Sequence, residues 1–306
     1  MSKMIRIGTR ESQLAVWQAT QVMDQLISGG LQAELVYIKS EGDTDTKTPL
    51  YEMGVQGIFT RSLDTALLNN QIDIAVHSMK DVPTQLPQGV IQAGVLKRGP
   101  VNDLLVYKTP LEKLYKEGYI GQLATSSIRR KAQWLHWFPA HQVHNLRGNI
   151  NTRLQKLQDE EWDAAIFAQA GLERIGLRPE NSVELSWMLP APAQGAIMIV
   201  CRHDDQFSFE SCQPCNDTDT ALCTKIERDF LRTLLGGCST PISALAVIDN
   251  GTLIFTGNIL SLDGTEKVET EKKIPIADAL NIGREAALEL LSNGGQQIAE
   301  RVRHAQ

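Results

Sequence analysis

The sequence predicts an α/β fold, and three observations support that prediction. Short apolar strand patterns alternate with amphipathic helical patterns through most of the chain, which is typical of parallel βαβ units. Two turn signals near the C-terminus, Asn250-Gly251 and Asp263-Gly264, instead indicate antiparallel hairpins. The chain has 306 residues, of which 42% are hydrophobic, so it can bury the cores of two or three domains.

The individual elements follow from hydrophobic periodicity and from the residues that end each run. The predicted strands are 4–8, 34–39, 72–77, 104–108, 119–125, 143–146, 164–168, 196–200, 242–247, 253–260 and 268–273. The predicted helices are 12–27, 59–68, 127–137, 149–157, 170–177, 220–235, 276–292 and 296–303. We expect a long polar loop over 40–57 and an irregular polar segment over 203–219.

Charge and composition exclude several classes of partner. The formal net charge is −6 and the isoelectric point is near 5.6, so a basic footprint for nucleic acid is absent. A local cluster of arginines could still bind a small anion. The chain starts with charged residues rather than an apolar secretory signal, and no segment has the apolar length of a membrane span. We therefore expect a cytoplasmic protein with no nucleic-acid or membrane partner.

The chain has five cysteines, an odd number that does not indicate a disulfide framework. Cys201, Cys212, Cys215 and Cys223 are interpreted as reduced thiols. Cys212-x-x-Cys215 could bind zinc with His203 or Cys223, or form a redox pair. Because no second CxxC is present and the spacing matches no zinc template, we expect no metal.

Arg10 and Ser12 lie between the first strand and the first helix, where open α/β sheets bind ligands. Ser12 or Thr9 could cap the helix. Arg10 adds positive charge to the positive end of the helix dipole, a conflict that a bound carboxylate would resolve. A solvated arginine is the alternative, and this motif alone does not decide between them.

The next domain repeats this arrangement. Ser127 is followed by two arginines in the first turn of a helix. Six of the sixteen arginines fall between positions 129 and 178, several of them at strand–helix junctions. Because guanidinium groups bind carboxylates through paired hydrogen bonds, the set favours a polycarboxylate or phosphate pocket. The candidate binding residues among these six are Arg129, Arg130, Arg147, Arg153 and Arg174.

Two further motifs carry reactive groups. His77-Ser78-Met79-Lys80-Asp81 follows a half-buried strand, and places a cation and a carboxylate at its end. A surface ion pair is the alternative for Lys80 and Asp81, and His77 is interpreted as a structural histidine. Cys238 lies on a glycine-rich loop, where it could be an accessible nucleophile or an ordinary loop cysteine.

Taken together, these motifs resemble the porphobilinogen deaminase (hydroxymethylbilane synthase) family. The matching stretches occur in the family's order and become weak after about residue 245. They are IGTRESQLAVWQA, DIAVHSMKDVPTQLPQG, ATSSIRRKAQ, NLRGNINTRLQKL, AQAGLERIGL, LPAPAQGAI and LLGGCSTPIS.

The resemblance implies two periplasmic-binding-protein-like α/β domains and a smaller α+β C-terminal domain with a three-stranded antiparallel sheet. Domain 1 would be discontinuous, over 1–98 and 196–217, and would regain the strand near 196–200. Domain 2 would cover 99–195, and domain 3, which carries the cofactor anchor, would cover 218–306.

The resemblance also implies a transferase of tetrapyrrole (haem) biosynthesis. Four porphobilinogen molecules are joined head to tail with loss of ammonia on a dipyrromethane primer, held by a thioether to Cys238, and water releases hydroxymethylbilane. Asp81 would be catalytic, because a carboxylate stabilises the cation left when ammonia departs. The implied cofactor- and substrate-binding residues are Arg10, Ser12, Ser78, Lys80, Thr125, Ser127, Arg129, Arg130, Arg147, Arg153 and Arg174. A monomer is implied, and downstream tetrapyrrole enzymes are possible partners.

The chain departs from the better-known bacterial pattern at a few positions. Glu52 and Gln56 stand where those members often have lysines, and Ala193 replaces a common glycine before Gln194-Gly195. The competing interpretation is a non-catalytic two-lobed anion-binding protein, which leaves Cys238 unexplained. A phosphate-ester enzyme is disfavoured because no P-loop or GxGxxG motif is present.

Overall fold

The computed structural model describes residues 3–40, 60–234 and 240–304. Strands β1 to β13 are Met4–Thr9, Gln32–Tyr37, Ile74–Ser78, Val90–Val95, Asp103–Tyr107, Gln122–Ala124, Gln142–His144, Ala164–Ala168, Ser182–Glu184, Ile197–Arg202, Ile242–Asp249, Thr252–Leu260 and Lys267–Pro275. Helices α1 to α10 are Gln13–Ser28, Arg61–Leu68, Leu111–Leu114, Ile128–Trp137, Ile150–Asp159, Gln169–Arg174, Gln206–Cys212, Thr218–Thr233, Ile282–Leu290 and Gln296–His304. None of the helices in these ranges has the length and apolar character required to cross a membrane.

The described residues form two compact units, of which the first contains 3–40, 60–99 and 194–222. Its sheet has the strand order β2-β1-β3-β10-β4. The first three strands are parallel, and β10 runs antiparallel to both β3 and β4. Ile5 and Ile74 of the sheet pack with Ala19 and Val22 of α1. The carboxyl ends of β1 and β3 therefore meet at one edge of a well-packed sheet.

The second unit contains 100–193, 223–234 and 240–304 among the described residues. Its larger sheet has the order β7-β6-β8-β5-β9, in which β7, β6 and β8 are parallel and β5 is antiparallel to β8 and β9. Both five-stranded sheets thus have three parallel strands followed by one antiparallel strand. The carboxyl ends of β6 and β8 form the second edge at which side chains can gather.

The same unit contains the antiparallel sheet β11-β12-β13. Its first hairpin turns at Asn250 (φ 47°) and Gly251 (φ 76°), the paired positive dihedrals of a type I′ turn. At Gly264 (φ 75°), a Cβ would lie 2.4 Å from the carbonyl oxygen of Ala132, so only glycine fits there. Both predicted hairpin signals are therefore confirmed.

The predicted fold class is confirmed: two mixed sheets with helices and a C-terminal three-stranded antiparallel sheet. The irregular segment expected over 203–219 is wrong, because α7, a 3₁₀ turn at Gln213–Cys215 and the start of α8 lie there. Asp205 starts α7 by accepting a hydrogen bond from the Ser208 N–H at 3.1 Å. Strands β4 and β9 and the short α3 were not predicted. The three domain ranges stay a prediction, and all but residue 40 of the polar loop predicted over 40–57 lies outside the described residues.

A buried carboxylate ties the start of the chain to β3. Asp73 accepts hydrogen bonds from the backbone N–H of Arg6 and from its guanidinium Nε, both at 2.9 Å. The ammonium of Lys3 lies 3.6 Å from the same carboxylate. Burial raises the pKa of Asp73, but the hydrogen bonds from Arg6 outweigh it and lower the pKa to about 2.

We expect Asp73→Asn to unfold at a lower urea concentration at pH 7. The folded-state pKa is depressed, so the stabilisation is present above the ordinary pKa of about 4 and is lost as the pH falls towards 2. A depression of about two pKa units corresponds to about 2–3 kcal/mol. Urea unfolding between pH 2 and pH 7 checks this, with the exposed Asp24→Asn as control. An Asp73→Asn midpoint that follows the parent at every pH contradicts it.

Candidate functional site

The loop after β1 brings Arg10 and Ser12 to the edge of the first sheet. Ser12 has an extended backbone and caps α1, because its hydroxyl accepts a hydrogen bond from the Ala15 N–H at 3.4 Å. The first turn of α1 contains no acidic residue. The capping prediction for Ser12 is therefore confirmed, and Arg10 lies beside a helix end that favours anions.

Strand β3 leads directly into the 3₁₀ turn Met79–Asp81. The Ser78 hydroxyl accepts a hydrogen bond from Gln18 Nε2 at 2.8 Å, which connects the strand end to α1. Lys80 Nζ donates to Gln194 Oε1 at 3.3 Å. Among the described residues, the half-buried carboxylate of Asp81 makes no hydrogen bond or ion pair. The alternative of a surface ion pair between Lys80 and Asp81 is therefore not what the structure contains.

A small pocket in the first unit joins these elements. Arg10, Ser78 and Asp81 line it, together with Gln18 and His77. Three of the predicted site residues, far apart in the chain, are thus brought to one place. The pocket offers a cation, several hydrogen-bond donors and a carboxylate that no described residue pairs with.

In the second unit, β6 is followed by a similar cap. The Thr125 hydroxyl accepts a hydrogen bond from the Ser127 N–H at 3.2 Å. Ser127 caps α4 by accepting from the Arg130 N–H at 3.4 Å. These two residues act on the backbone of the helix start in this structure, and a role toward a ligand stays a prediction.

The two arginines at the start of α4 share one carboxylate. Arg129 Nη2 donates to Asp103 Oδ2 at 2.7 Å, and Arg130 donates to Asp103 Oδ1 through Nη2 at 2.7 Å and Nε at 3.1 Å. Asp103 is fully buried and both arginines are 5% exposed. Burial, and then the neighbouring Arg130, lower the pKa of Arg129, although Asp103 opposes the shift. The protein therefore supplies the carboxylate that this helix start needs, and the cluster retains one net positive charge.

The remaining arginines of the set follow β7 and β8. Arg147 is buried, and Arg153 Nε donates to the carbonyl oxygen of Gly148 at 2.7 Å. Gly148 has φ 111°, and a Cβ there would lie 2.7 Å from Thr152 Cγ2, so the RGN turn requires glycine. Burial lowers the pKa of Arg174 to about 10. Arg147 and Arg153 follow the carboxyl end of β7, and Arg174 ends α6, the helix that follows β8.

Cys238, Glu52 and Gln56 lie outside the described residues. The other four cysteines are buried, and none of them forms a disulfide with another described cysteine, in line with the interpretation as reduced thiols. Burial raises the pKa of Cys212 and Cys215, and raises that of Cys201 to about 11, so these thiols are poor nucleophiles. In the described ranges, no group of three or more His, Cys, Asp or Glu side chains could hold a metal ion.

Comparison with protein families identifies two matching domains. Residues 5–210 match the model of "Porphobilinogen deaminase, dipyromethane cofactor binding domain". Residues 221–292 match that of "Porphobilinogen deaminase, C-terminal domain". This chain belongs to the porphobilinogen deaminase family. The predicted family, enzyme class and dipyrromethane cofactor are confirmed, and the comparisons do not support the non-catalytic alternative.

Curated porphobilinogen deaminases match the chain over nearly its whole length. The Desulforamulus reducens enzyme is 38% identical and the match covers 99% of each chain. The Geobacter metallireducens enzyme is 40% identical, with 98% of this chain and 95% of the relative covered. Among solved structures, the methionine-binding protein MetQ is 14% identical with a TM-score of 0.43, covering 74% of this chain and 90% of that one.

The residues present fit the cofactor that the porphobilinogen deaminase family implies. Pyrroles with acetate and propionate side chains are polyanions, which need more cationic donors than competing carboxylates. The second unit provides this excess, because Arg129 and Arg130 share Asp103 alone as their anionic partner among the described residues. Which residue contacts which carboxylate stays a prediction.

Four residues at or near the candidate sites were missed from the sequence. Gln18 and Gln194 contact predicted site residues, Asp103 pairs the arginines, and His77 lines the pocket. The spacing from Ser12 places Gln18 on the first turns of α1, which is a usable signal. Nothing in the linear sequence connects Asp103 to residues 26 and 27 positions later.

We expect Asp103→Asn to lower the free energy of unfolding by about 3–5 kcal/mol, since it leaves two buried guanidinium groups without an anion. Urea unfolding followed by circular dichroism measures the loss. The matched control is Asp159→Asn at the exposed end of α5, which should change stability by less than about 0.5 kcal/mol. Equal midpoints for the two variants would show that the cluster does not stabilise the fold.

Proposed function

We propose that this chain is a transferase that condenses four porphobilinogen molecules head to tail on a dipyrromethane primer. Ammonia leaves at each addition, and water releases hydroxymethylbilane for tetrapyrrole biosynthesis. By resemblance to the family, it acts as a cytoplasmic monomer, and downstream tetrapyrrole enzymes are possible partners. Family membership supports the reaction, and the arrangement of side chains supports the assignment of residues.

The pocket in the first unit is the observation that carries this assignment. Arg10, Ser78 and Asp81 line this one pocket, so a cation, a hydroxyl group and a carboxylate border the same opening. A pyrrole substrate has the complementary groups, because its side-chain carboxylates are anionic while its ring and aminomethyl group become cationic during reaction. Arg10 would bind a carboxylate, and Asp81 would face the reacting ring.

Asp81 is proposed to stabilise the positive charge that develops when the substrate loses ammonia. Its carboxylate has no partner among the described residues, so it does not have to leave an ion pair before it acts. A carboxylate oriented towards developing charge lowers the barrier in a partly desolvated site. Asp81 is also proposed to help protonate the departing amine.

The remaining residues are proposed to hold the growing anion. Lys80 and Ser12 lie at the strand ends of the first unit, and Ser78 would donate through its hydroxyl. The second unit would contribute the hydroxyl groups and guanidinium groups at the ends of β6, β7 and β8. These residues are Thr125, Ser127, Arg129, Arg130, Arg147, Arg153 and Arg174.

Cys238 is proposed to anchor the cofactor through a thioether bond. When bound, dipyrromethane supplies the terminal pyrrole carbon to which the first substrate is joined. The four cysteines of the described ranges are buried, and a buried thiol is a poor anchor for a polyanionic group. Cys238 lies instead in the glycine-rich segment Gly236-Gly237-Cys238.

The anchor is tested by intact-protein mass spectrometry of the parent and of Cys238→Ser. We expect the parent to carry the added mass of two linked pyrroles, and Cys238→Ser to lack it. Cys223→Ser, which changes a buried thiol, is the matched control and should keep the added mass.

Two results would contradict the assignment. An adduct on Cys238→Ser would place the anchor on another residue. A parent that acquires no adduct and releases no ammonia after incubation with porphobilinogen would overturn the proposed function itself.

We expect Asp81→Asn to fold and bind porphobilinogen but to release ammonia at least about a hundredfold more slowly. Asp81→Glu keeps the carboxylate and should retain an intermediate rate, while the exposed Asp24→Asn should match the parent. The rates are measured per molecule of cofactor-loaded enzyme, with the loading determined from the intact mass. An Asp81→Asn rate within threefold of the parent would remove Asp81 from the mechanism.

A further inference from the structure

His77 has a buried nitrogen atom that nothing in the described structure satisfies. The side chain is 6% exposed, and its Nε2 atom has no hydrogen-bond partner in the described part of the chain. A buried polar atom without a partner is costly, and in native proteins such an atom usually has a ligand, a water molecule or a role in chemistry. A purely structural histidine would have both its burial and its hydrogen bonds accounted for.

The position of His77 identifies the place where the missing partner lies. His77 is the penultimate residue of β3, directly before Ser78. His77 is one of the residues that line the same pocket as Arg10 and Asp81. The residue that carries the unsatisfied atom therefore borders the pocket that is proposed to receive the substrate.

Burial, together with the charge of Arg10, keeps the imidazole of His77 neutral. Burial, and then the positive charge of Arg10, lower the pKa of His77 to about 3. The Asp81 carboxylate is the other charged group lining this pocket. A neutral imidazole has one N–H donor and one acceptor, so its Nε2 atom can hydrogen-bond to a ligand without exchanging a proton with it.

Arg10 determines which ligand group comes closest to His77. A guanidinium at a pocket wall binds carboxylates, so a carboxylate held by Arg10 would bring an acceptor to the unsatisfied nitrogen. We propose that the Nε2–H of His77 donates a hydrogen bond to a carboxylate of the pyrrole bound in this pocket, beside Arg10. This inference rests on the proposed function, and adds a substrate-binding residue to it.

Gln18 and Ser78 support a donor role rather than an acceptor role. They hydrogen-bond to each other, so each can still interact with a ligand while its orientation is fixed. Together with Arg10, they make this pocket rich in donors. An Nε2–H donor adds to these groups, whereas an Nε2 acceptor would compete with Asp81 for the substrate's N–H groups.

Steady-state kinetics of the cofactor-loaded enzyme test the contact. His77→Phe keeps a ring but removes the donor, and we expect the KM for porphobilinogen to rise about ten- to a hundredfold with kcat little changed. His77→Gln places an amide N–H near the former Nε2 position and should recover most of the affinity. His141→Phe, which alters a buried histidine of the second unit, is the matched control for loss of a buried imidazole and should leave KM unchanged.

Nuclear magnetic resonance of the ¹⁵N-histidine-labelled holoenzyme gives an independent readout. His77 should be neutral with its proton on Nε2, and its Nε2 resonance should move when porphobilinogen is added to the slow Asp81→Asn enzyme. His141 provides a reference within the same molecule, because its Nδ1 atom accepts from Trp134 Nε1–H at 3.2 Å and its proton is therefore on Nε2. The His141 resonance should stay in place.

The outcomes separate this inference from the proposed function. A parent enzyme without turnover overturns the function. An active parent in which His77→Phe has a parental KM, or in which His77 carries its proton on Nδ1, overturns the inference alone. A His77 resonance that ignores porphobilinogen also overturns it, and assigns the buried nitrogen to an ordered water molecule.

Discussion

A charged side chain that is buried in this protein needs an oppositely charged or hydrogen-bonding partner beside it. The cluster of Asp103, Arg129 and Arg130 is built on this constraint. An ion transferred into a protein interior loses several kcal/mol of hydration, and a single missing partner leaves that cost uncompensated. The three side chains are almost completely buried, so each requires the others. Because two cations share one carboxylate, the start of α4 retains a net positive charge. The same residues that stabilise the second unit therefore also favour an anionic ligand.

The pocket of the first unit meets the constraint in a different way. His77 is deeply buried, and its lowered pKa keeps it neutral, whereas Asp81 is only half-buried. The nearby Asp73 is buried and charged, and is matched by Arg6. The neutral state of His77 and the charged state of Asp73 are each explained by burial and by neighbouring groups. A carboxylate that no described residue pairs with, such as that of Asp81, is suited to meeting a cation on a substrate.

Much of the fold can be predicted from the sequence because hydrophobic periodicity reports which face of an element is buried. The run 164–168 is buried along nearly its whole length and coincides with β8. Hydrophobic periodicity does not predict helix α7, because its buried residues are only Ser208 and Cys212 and its sequence resembles that of a polar loop. It does not predict strand β4 for another reason. The pairing of β4 with β10 shifts register between Ile199 and Val200, which interrupts the alternation of buried positions.

Some residues of the candidate site can likewise be predicted from the sequence, and others cannot. Arg10, Ser78 and Asp81 can be predicted, because they follow strands, and strand ends gather at one edge of a sheet. Asp103 cannot, because its contact with Arg130 depends on how an antiparallel strand is inserted beside β8, which is a property of the folded sheet. His77 was interpreted as a structural histidine, and nothing in the sequence reveals that one of its buried nitrogen atoms lacks a partner in the described structure.

Ala193 shows how a local departure from the family pattern is held in place. It adopts φ 61°, a conformation that costs a residue with a Cβ about 1–2 kcal/mol relative to the right-handed region, whereas glycine adopts it freely. Its N–H donates to Glu227 Oε2 at 2.6 Å, and Glu227 Oε1 accepts from the Ala246 N–H of β11 at 2.8 Å. One buried carboxylate of α8 thus fixes both the strained backbone at Ala193 and the strand that follows the Cys238 segment. These two hydrogen bonds hold the backbone around Ala193 in place, which offsets the conformational cost of a residue with a Cβ at this position.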